Sequence, residues 1–256
     1  MKHGFIGFGN LGQAIYLGLK NNKTNSFTYY SRKNKNLTIN FSKNLENLLA
    51  NSEYVWLCVK PKDVREIFQE IIKINNYQKY LKNKIFISVV AGLETRKIQR
   101  ELFANLNIVR LMPNIQIKNR KSLTAFYTKI QNKKTILLEK ELLKVGEIVK
   151  INEKEFDLFT AIFGSGPAFL LEIFNSVLNL KNKFETNIDS EIFLKLFQNT
   201  FNNLDNVEEI NKLIQKITSK GGTTEAGLKY FKKKKLDRYI QNIFLEAEKK
   251  SKEIYK

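Results

Sequence analysis

The sequence predicts an α/β protein, with a mostly parallel N-terminal sheet followed by an all-α C-terminal domain. In roughly the first 150 residues, short apolar runs alternate with segments of helical periodicity. That alternation is typical of a parallel sheet with helices on both faces. Beyond residue 151 nearly every segment has helical periodicity, and no further strand is expected. We therefore expect two domains, formed by residues 1–151 and 152–256.

The individual elements follow from the apolar spacing. Strands are expected at the short apolar runs 5–6, 27–30, 54–59, 85–90, 107–112 and 123–127. Helices are expected between them at 11–20, 45–50, 64–74 and 95–103. In the first of these, Leu11, Ile15 and Leu19 recur every fourth position and share one face. The C-terminal helices are expected at 156–162, 168–180, 189–203, 207–218, 224–231 and 236–255.

The composition excludes several kinds of site. Hydrophobic residues make up 43% of the chain, which is enough for a buried core. The single cysteine, Cys58, rules out an intramolecular disulfide and lies in an apolar run, so we expect a buried, unreactive thiol. The single histidine, His3, excludes a His-Glu-x-x-His zinc site, and we expect it at the surface. No metal site is predicted.

The charge is strongly basic, with a formal net charge of +19 from 44 Lys and Arg against 25 Asp and Glu. These basic residues are spread along the chain, and the run 232–235 is expected to be a solvated turn. We therefore predict no nucleic-acid partner, although a basic surface attracts anionic ligands. We expect no transmembrane helix and no signal peptide. The sequence thus predicts a cytoplasmic protein without membrane contact.

Residues 7–12 read Gly-Phe-Gly-Asn-Leu-Gly, a Gly-x-Gly-x-x-Gly motif between the first strand and the first helix. This context is the one that dinucleotide binding requires. Gly7 permits a tight turn, Gly9 lets the backbone approach a pyrophosphate, and Gly12 allows close packing of helix on strand. The free N–H groups of the helix N-terminus favour the anion. The motif therefore predicts a Rossmann-type domain that binds a dinucleotide.

The end of the second strand distinguishes between the two nicotinamide dinucleotides. Enzymes that use NAD usually carry an Asp or Glu there, which binds the ribose 2′-hydroxyl. Here Ser31, Arg32 and Lys33 follow the strand, with no acidic residue. Arg32 can bind a 2′-phosphate through forked, charge-assisted hydrogen bonds. We therefore predict NADP as cofactor, with NADPH preferred over NADH; the alternative is an ordinary basic loop.

Six ordered blocks along nearly the whole chain resemble the pyrroline-5-carboxylate reductase family. They lie at 4–12, 59–61, 88–92, 109–114, 163–169 and 221–224. Many dehydrogenases share the first, whereas Met-Pro-Asn, Gly-Ser-Gly-Pro-Ala and Gly-Gly-Thr-Thr in this order are specific. The resemblance implies reduction of 1-pyrroline-5-carboxylate, a cyclic imine, to L-proline by hydride transfer from NADPH. This reaction is the last step of proline biosynthesis.

The resemblance also implies which residues form the site. Cofactor contacts are expected at Gly7, Phe8, Gly9, Asn10, Leu11, Gly12, Ser31, Arg32, Asn44, Val59, Lys60 and Ala91. Substrate contacts are expected at Glu153, Ser219, Gly222, Thr223 and Thr224. The family further implies a homodimer, or a ring of dimers, formed through the C-terminal helices.

Thr224 is the residue to which the resemblance assigns a catalytic role, as the hydrogen-bond partner of the ring nitrogen. A hydroxyl is a poor acid, so we expect orientation and proton relay rather than strong acid catalysis. Backbone N–H groups of the glycine-rich turn suit a carboxylate. Thr223 and Thr224 can equally serve as an N-cap for the following helix.

Several positions depart from the family pattern and leave alternatives open. Ile115 and Gln116 replace a usual Thr-Pro, residues 120–122 replace glycines, Lys216 replaces a neutral polar residue, and Lys220 replaces a proline. One alternative is another NADP-dependent reductase of the 3-hydroxyacid dehydrogenase type, but such enzymes lack the Gly-Gly-Thr-Thr turn. The other is a catalytically weak, NADP-binding regulatory paralogue.

Overall fold

The structure, a computed structural model, describes residues 1–34, 37, 39–184, 186–204 and 206–255. Within these ranges one sheet runs in the order β3-β2-β1-β4-β5-β6-β7-β8. Its strands are β1 (Lys2–Ile6), β2 (Ser26–Tyr30), β3 (Asn40–Phe41), β4 (Tyr54–Leu57), β5 (Ile85–Ser88), β6 (Asn107–Met112), β7 (Ser122–Thr128) and β8 (Gly146–Lys150). All neighbours pair in parallel except β6 and β7, which are antiparallel. The predicted mostly parallel sheet is confirmed.

Helices of the N-terminal part connect these strands. They are α1 (Asn10–Leu19), α2 (Leu45–Asn51), α3 (Val64–Ile72), α4 (Tyr77–Leu81), α5 (Thr95–Glu101), α6 (Lys133–Leu142) and α7 (Phe156–Phe159). Helix α3 buries the apolar stripe that its spacing predicted. Helix α6 begins at a capping box in which the Asn132 side chain accepts from the Thr135 N–H and the Thr135 hydroxyl accepts from the Asn132 N–H.

The sheet separates two hydrophobic cores, because successive strand residues point to opposite faces. On one face Val55 and Leu57 of β4 pack with α2, α3 and α5. On the other face Tyr54 and Trp56 of the same strand pack with α1 and α6. Helices therefore cover both faces, as the alternation of strands and helices predicted.

In the N-terminal part, the sequence pattern missed the elements β3, β8, α4 and α6. Strand β3 has two residues and gives no periodicity to read. Strand β8 is a partly exposed edge strand that begins at Gly146, which has a φ of +148°. Gly146 lies so close to the Ser122 carbonyl that a Cβ would meet its oxygen at 2.1 Å. This contact between backbones joins β8 to β7, and apolar spacing does not reveal it.

His3 lies in the protein interior, so its predicted surface location is wrong. Its side chain is buried in β1, and its Nδ1 accepts a hydrogen bond from the indole N–H of Trp56 at 3.1 Å. The ring stacks on Phe27 at 5.2 Å. Burial lowers the pKa of His3 to about 3. Cys58 is half-buried rather than fully buried. Desolvation raises the pKa of its thiol above the ordinary range, and its low reactivity stays a prediction.

The chain divides into two compact units, residues 1–165 with 247–256, and residues 166–246. Helices of the C-terminal part are α8 (Gly166–Leu178), α9 (Leu180–Lys183), α10 (Ser190–Asn202), α11 (Ile210–Ile217), α12 (Thr223–Lys233) and α13 (Leu236–Glu253). The run 232–235 is exposed at the end of α12, as predicted. The domain boundary expected at residue 151 marks the end of the last strand and stays a prediction.

The second unit has no core of its own among the residues described. From 167 to 246, every described residue is partly or fully exposed. Large apolar side chains such as Leu170, Leu171 and Phe201 are more than half exposed. By length and composition alone, one helical stretch of the described residues, Glu153–Lys183, could cross a membrane. Helices of soluble proteins meet the same criterion, so the expected absence of a transmembrane helix stays a prediction.

Candidate functional site

The glycine turn (residues 7–12) joins β1 to α1. Gly7 has a φ of +84°, and its N–H donates to the Tyr30 carbonyl at 2.8 Å. A Cβ at this position would lie 2.6 Å from the Val59 side chain and 2.8 Å from the Cys58 carbonyl oxygen. Only glycine fits this backbone conformation and this close approach of β4.

The N-terminus of α1 has the features of an anion site. Gly9 is its N-cap and provides no side-chain cap, and a Cβ built there meets no atom within 4 Å. Among the described residues, the N–H groups of Asn10, Leu11 and Gly12 have no hydrogen-bond partner. Open space before three free donors suits a pyrophosphate.

Two other residues of the turn serve packing. Gly12 brings α1 close to the turn, since a Cβ there would lie 3.2 Å from the Gly7 carbonyl oxygen. The Phe8 ring is buried and stacks on Tyr29 at 4.8 Å. Phe8 can therefore reach a dinucleotide only through its backbone. A dinucleotide phosphate group fits the turn on these grounds.

Ser31 and Arg32 follow β2. The Ser31 hydroxyl donates to the Lys33 carbonyl at 2.5 Å. The Arg32 guanidinium forms ion pairs with Asp63, at 3.1 Å, and with Glu66. The hydrogen bond to Glu66 and the nearby carboxylates raise the pKa of Arg32. The Arg32 side chain remains 65% exposed, so it is accessible to a phosphate group.

The remaining predicted cofactor residues follow β3, β4 and β5. Asn44 is the N-cap of α2, and its side-chain oxygen accepts from the Asn47 N–H at 2.8 Å. Val59 packs against the core, and Lys60 is exposed before the turn Pro61–Asp63. Ala91 precedes Gly92, which has a φ of +70°. The carboxyl ends of adjacent parallel strands meet at one sheet edge, and the topology therefore brings these segments together.

Glu153 lies beyond β8 in the first unit, where its carboxylate binds the start of α5. It accepts from the Thr95 N–H at 2.6 Å and from the Thr95 hydroxyl at 2.9 Å. It also pairs with Arg110 at 3.4 Å. The carboxylate thus caps a helix N-terminus and carries a counter-charge for a buried arginine.

Arg110 is a structurally important residue that the pattern analysis did not single out. It is 1% exposed, in the middle of β6, and its guanidinium lies 4.4 Å from the Phe156 ring centre. Burial lowers the pKa of Arg110, and Glu153 opposes that effect. A lone arginine within the apolar run 107–112 is the signal that would have indicated a buried ion pair.

The threonine loop (residues 218–224) joins α11 to α12 in the second unit. Gly221 has a φ of +74°, and its N–H donates to the Glu225 carboxylate at 2.8 Å. The Gly222 N–H donates to the Ser219 carbonyl at 3.1 Å, and a Cβ on Gly222 would lie 2.3 Å from the Ser219 hydroxyl. The loop therefore folds tightly on itself, which keeps the predicted substrate residues of this segment together.

Gly222, not a threonine, is the N-cap of α12, and it provides no side-chain cap. Thr223 and Thr224 are the first two helical residues. Within the described part of the chain their N–H groups have no hydrogen-bond partner. Thr223 is exposed and Thr224 is half-buried. The departures Lys216 and Lys220 are both exposed. Two free N–H groups beside hydroxyls can bind a carboxylate.

No group of three or more His, Cys, Asp or Glu side chains that could hold a metal occurs among the described residues. Each unit offers its own groups to a ligand: the first has the backbone donors of the glycine turn and the positive charges of Arg32 and Lys60, and the second has the hydroxyls of Thr223 and Thr224.

Comparison with known families gives two matches that cover most of the chain. Residues 153–254 match the family described as pyrroline-5-carboxylate reductase dimerisation. Residues 2–92 match the family described as NADP oxidoreductase, coenzyme F420-dependent. The second match includes the glycine turn and Arg32, and the first includes the threonine loop.

Individual relatives extend the similarity to full length. A pyrroline-5-carboxylate reductase of Aquifex aeolicus is 30% identical, over 99% of this chain and 97% of the relative. One from Staphylococcus haemolyticus is 32% identical, over 89% and 88%. The structure of Plasmodium falciparum pyrroline carboxylate reductase with NADP bound has a TM-score of 0.87 and 25% identity, and the match covers 100% of this chain and 98% of that one. The Streptococcus pyogenes enzyme, 23% identical over 99% and 98%, shares the fold with a TM-score of 0.85. This chain belongs to the pyrroline-5-carboxylate reductase family.

Proposed function

We propose that NADPH, in preference to NADH, is the hydride donor of this chain, which as a pyrroline-5-carboxylate reductase reduces 1-pyrroline-5-carboxylate to L-proline. The glycine turn supports the dinucleotide, because three N–H groups at the start of α1 have no partner among the described residues and a Cβ on the neighbouring Gly9 would meet no atom within 4 Å. Arg32 supports NADPH for two reasons. No acidic residue lies between the end of β2 and Arg32, and the Arg32 guanidinium is exposed.

The observation that carries the substrate assignment is the geometry of the threonine loop. Thr223 and Thr224 begin α12, where the helix dipole favours a carboxylate, and in the part of the chain that the structure describes their N–H groups have no partner. Gly222 and Ser219 hold that backbone in place through their hydrogen bond. We infer that these residues bind the substrate carboxylate.

Thr224 is the proposed partner of the imine nitrogen. Its hydroxyl can donate to that nitrogen or accept from it, depending on whether the imine already carries a proton. The bound dinucleotide supplies the hydride, so the residues have only to orient the ring and exchange one proton. Glu153 contributes indirectly in this proposal, since its carboxylate already binds Thr95 and Arg110.

The exposed helices of the second unit support assembly into a homodimer, or a ring of dimers. Between 167 and 246, none of the described residues is buried. The apolar side chains of this helical unit therefore need a second surface to cover them. The match of 153–254 to a dimerisation domain favours a second copy over a membrane as that cover. We propose a cytoplasmic location for the assembled enzyme.

The alternative of a 3-hydroxyacid dehydrogenase type of reductase has less support. The Gly-Gly-Thr-Thr turn at 221–224 is present and folds as a helix N-terminus. The alternative of a weakly active regulatory paralogue is favoured only by the departures from the family pattern, which are Ile115, Gln116, Lys216, Lys220 and the segment 120–122.

A direct test of cofactor preference compares NADPH and NADH as donors for 1-pyrroline-5-carboxylate. We expect a higher kcat/KM with NADPH in the wild type. Arg32→Ala should lower the kcat/KM for NADPH by about 10- to 100-fold, because the charge-assisted hydrogen bonds to the 2′-phosphate are lost. The kcat/KM for NADH should stay nearly unchanged. Arg96→Ala, which removes an exposed arginine of α5, is the control. An Arg32→Ala enzyme with full preference for NADPH would refute the proposal.

A further inference from the structure

Arg32 is held by two acidic side chains from the segment after β4. Asp63 ends the turn Pro61–Asp63, and Glu66 lies in the first turn of α3. The same Nη2 atom of Arg32 donates to Asp63 at 3.1 Å and to Glu66. One terminal nitrogen of the guanidinium fork is thus shared by two carboxylates before any ligand arrives.

Asp63 and Glu66 follow a strand that is a neighbour of β1, as Arg32 does. Strands β2 and β4 flank β1, and both run parallel to it. Arg32 and the pair Asp63 and Glu66 therefore follow the strands on either side of the glycine turn. In NAD enzymes an acidic residue ends the second strand. In this chain the acidic residues that contact Arg32 instead follow β4, the third strand expected from the sequence.

The ion pairs are weak enough to exchange. Arg32 and Glu66 have side chains that are 65% and 55% exposed, and Asp63 is 23% exposed. Exposed pairs contribute little net stability, because water and salt screen both charges. A phosphate group of nearly two negative charges can therefore take over the guanidinium, although it must displace or approach the carboxylates to do so.

We propose that Asp63 and Glu66 determine cofactor specificity by competing with the 2′-phosphate of NADPH for Arg32. This inference rests on the proposed binding of that phosphate by Arg32. The competition weakens NADPH binding relative to a chain in which Arg32 has no acidic partner. NADH has no 2′-phosphate, so its binding leaves the ion pairs intact and is independent of them. The two acidic residues therefore reduce the difference between the affinity for NADPH and the affinity for NADH.

The test measures Kd for NADPH and for NADH, from the nucleotide fluorescence on titration with protein, without substrate. We expect Glu66→Gln and Asp63→Asn each to tighten NADPH binding by about two- to fivefold, the size expected for exposed ion pairs, and to leave NADH unchanged. Glu70→Gln is the matched control, because it removes the same charge one turn further along α3, where Glu70 binds the Tyr30 hydroxyl at 2.9 Å. Glu70→Gln should change neither Kd.

A second arm asks whether the effect passes through Arg32. In an Arg32→Ala background, Glu66→Gln should leave the Kd of NADPH unchanged. Equal tightening with and without Arg32, or equal tightening by Glu70→Gln, would show a general charge effect and overturn the inference. Unchanged NADPH binding in both Glu66→Gln and Asp63→Asn would also overturn it. A wild type that prefers NADH would refute the proposed preference, while the change caused by Glu66→Gln still decides the inference.

Discussion

Two constraints decide which residue type fits a position in this chain: the space around the backbone, and the need of polar groups for hydrogen-bond partners. Gly7 and Gly9 illustrate the first, because one cannot take a Cβ and the other leaves room for a ligand. The motif spacing predicted both roles without knowledge of the contacts. Arg32 was predicted from the residue type at the end of β2, but its acidic partners were not. They lie more than 30 positions away, and only the fold brings them together.

His3 shows where residue type alone misleads. A single histidine near the chain start has no apolar periodicity of its own to indicate burial. Its place is decided by the indole N–H of Trp56, which is buried on the neighbouring strand and needs an acceptor. The neutral His3 ring supplies that acceptor, and burial keeps its pKa at about 3.

His3 also gives a pH prediction. Because its pKa falls from 6.5 to about 3 on folding, the unfolded chain binds the proton between these values. The contribution of His3 to the free energy of unfolding is then present above pH 6.5 and is lost as the pH falls toward 3, by about 1.4 kcal/mol between pH 7.5 and 5.5. Urea unfolding followed by Trp56 fluorescence measures this, since Trp56 is the only tryptophan. His3→Gln should remove the slope; an equal slope in both proteins would contradict the assignment.

At the scale of elements, the last residues of the chain return to the first unit. The Ser251 hydroxyl donates to Asp157 at 2.6 Å, and a Cβ on Gly92 would meet the Ser251 carbonyl oxygen at 2.4 Å. The Tyr255 hydroxyl donates to both oxygens of the Glu101 carboxylate at 2.8 and 3.0 Å. These contacts brace the loop that carries Ala91. The spacing predicted the helix itself, but such long-range polar contacts leave no local pattern in the sequence.

Tyr255 is the anchor of this arrangement, with 6% of its side chain exposed. Tyr255→Ala should lower the free energy of unfolding by about 3 kcal/mol, because it removes a buried aromatic ring. Tyr255→Phe keeps the ring and loses only the bonds to Glu101, so it should cost about 1–2 kcal/mol. Urea unfolding of the full chain measures both. Equal midpoints for wild type and Tyr255→Ala would show that the tail does not stabilise the first unit.

At the scale of the whole molecule, the two units differ in whether their own residues form a buried core. The first has a core on each face of the sheet and a smaller third cluster around Phe156 and Phe159. The second has exposed apolar side chains along its helices and no buried residue between 167 and 246 in the part described. The fold class was predictable because periodicity reports local structure. The missing core of the second unit was not, because the sequence shows which residues are apolar but not which surface covers them.

The threonine loop belongs to this scale, since it places its donors at a helix start in the unit that the dimerisation family matches. The residue types there were predictable from a short motif. The structure was needed to show that Gly222 is the N-cap of α12 and that both threonine N–H groups lack a partner among the described residues.

The most direct measurement is steady-state NADPH oxidation with 1-pyrroline-5-carboxylate, with the L-proline formed measured in parallel. We expect equal amounts of proline formed and NADPH consumed. Thr224→Ala should lower kcat by about 100-fold, the lower end for a positioned proton-transfer group, with the Kd for NADPH unchanged. Thr200→Ala is the control, because Thr200 is an exposed residue of α10, outside the threonine loop, and its hydroxyl donates to the Leu196 carbonyl at 2.7 Å. No proline formation despite tight NADPH binding, or full turnover by Thr224→Ala, would contradict the account.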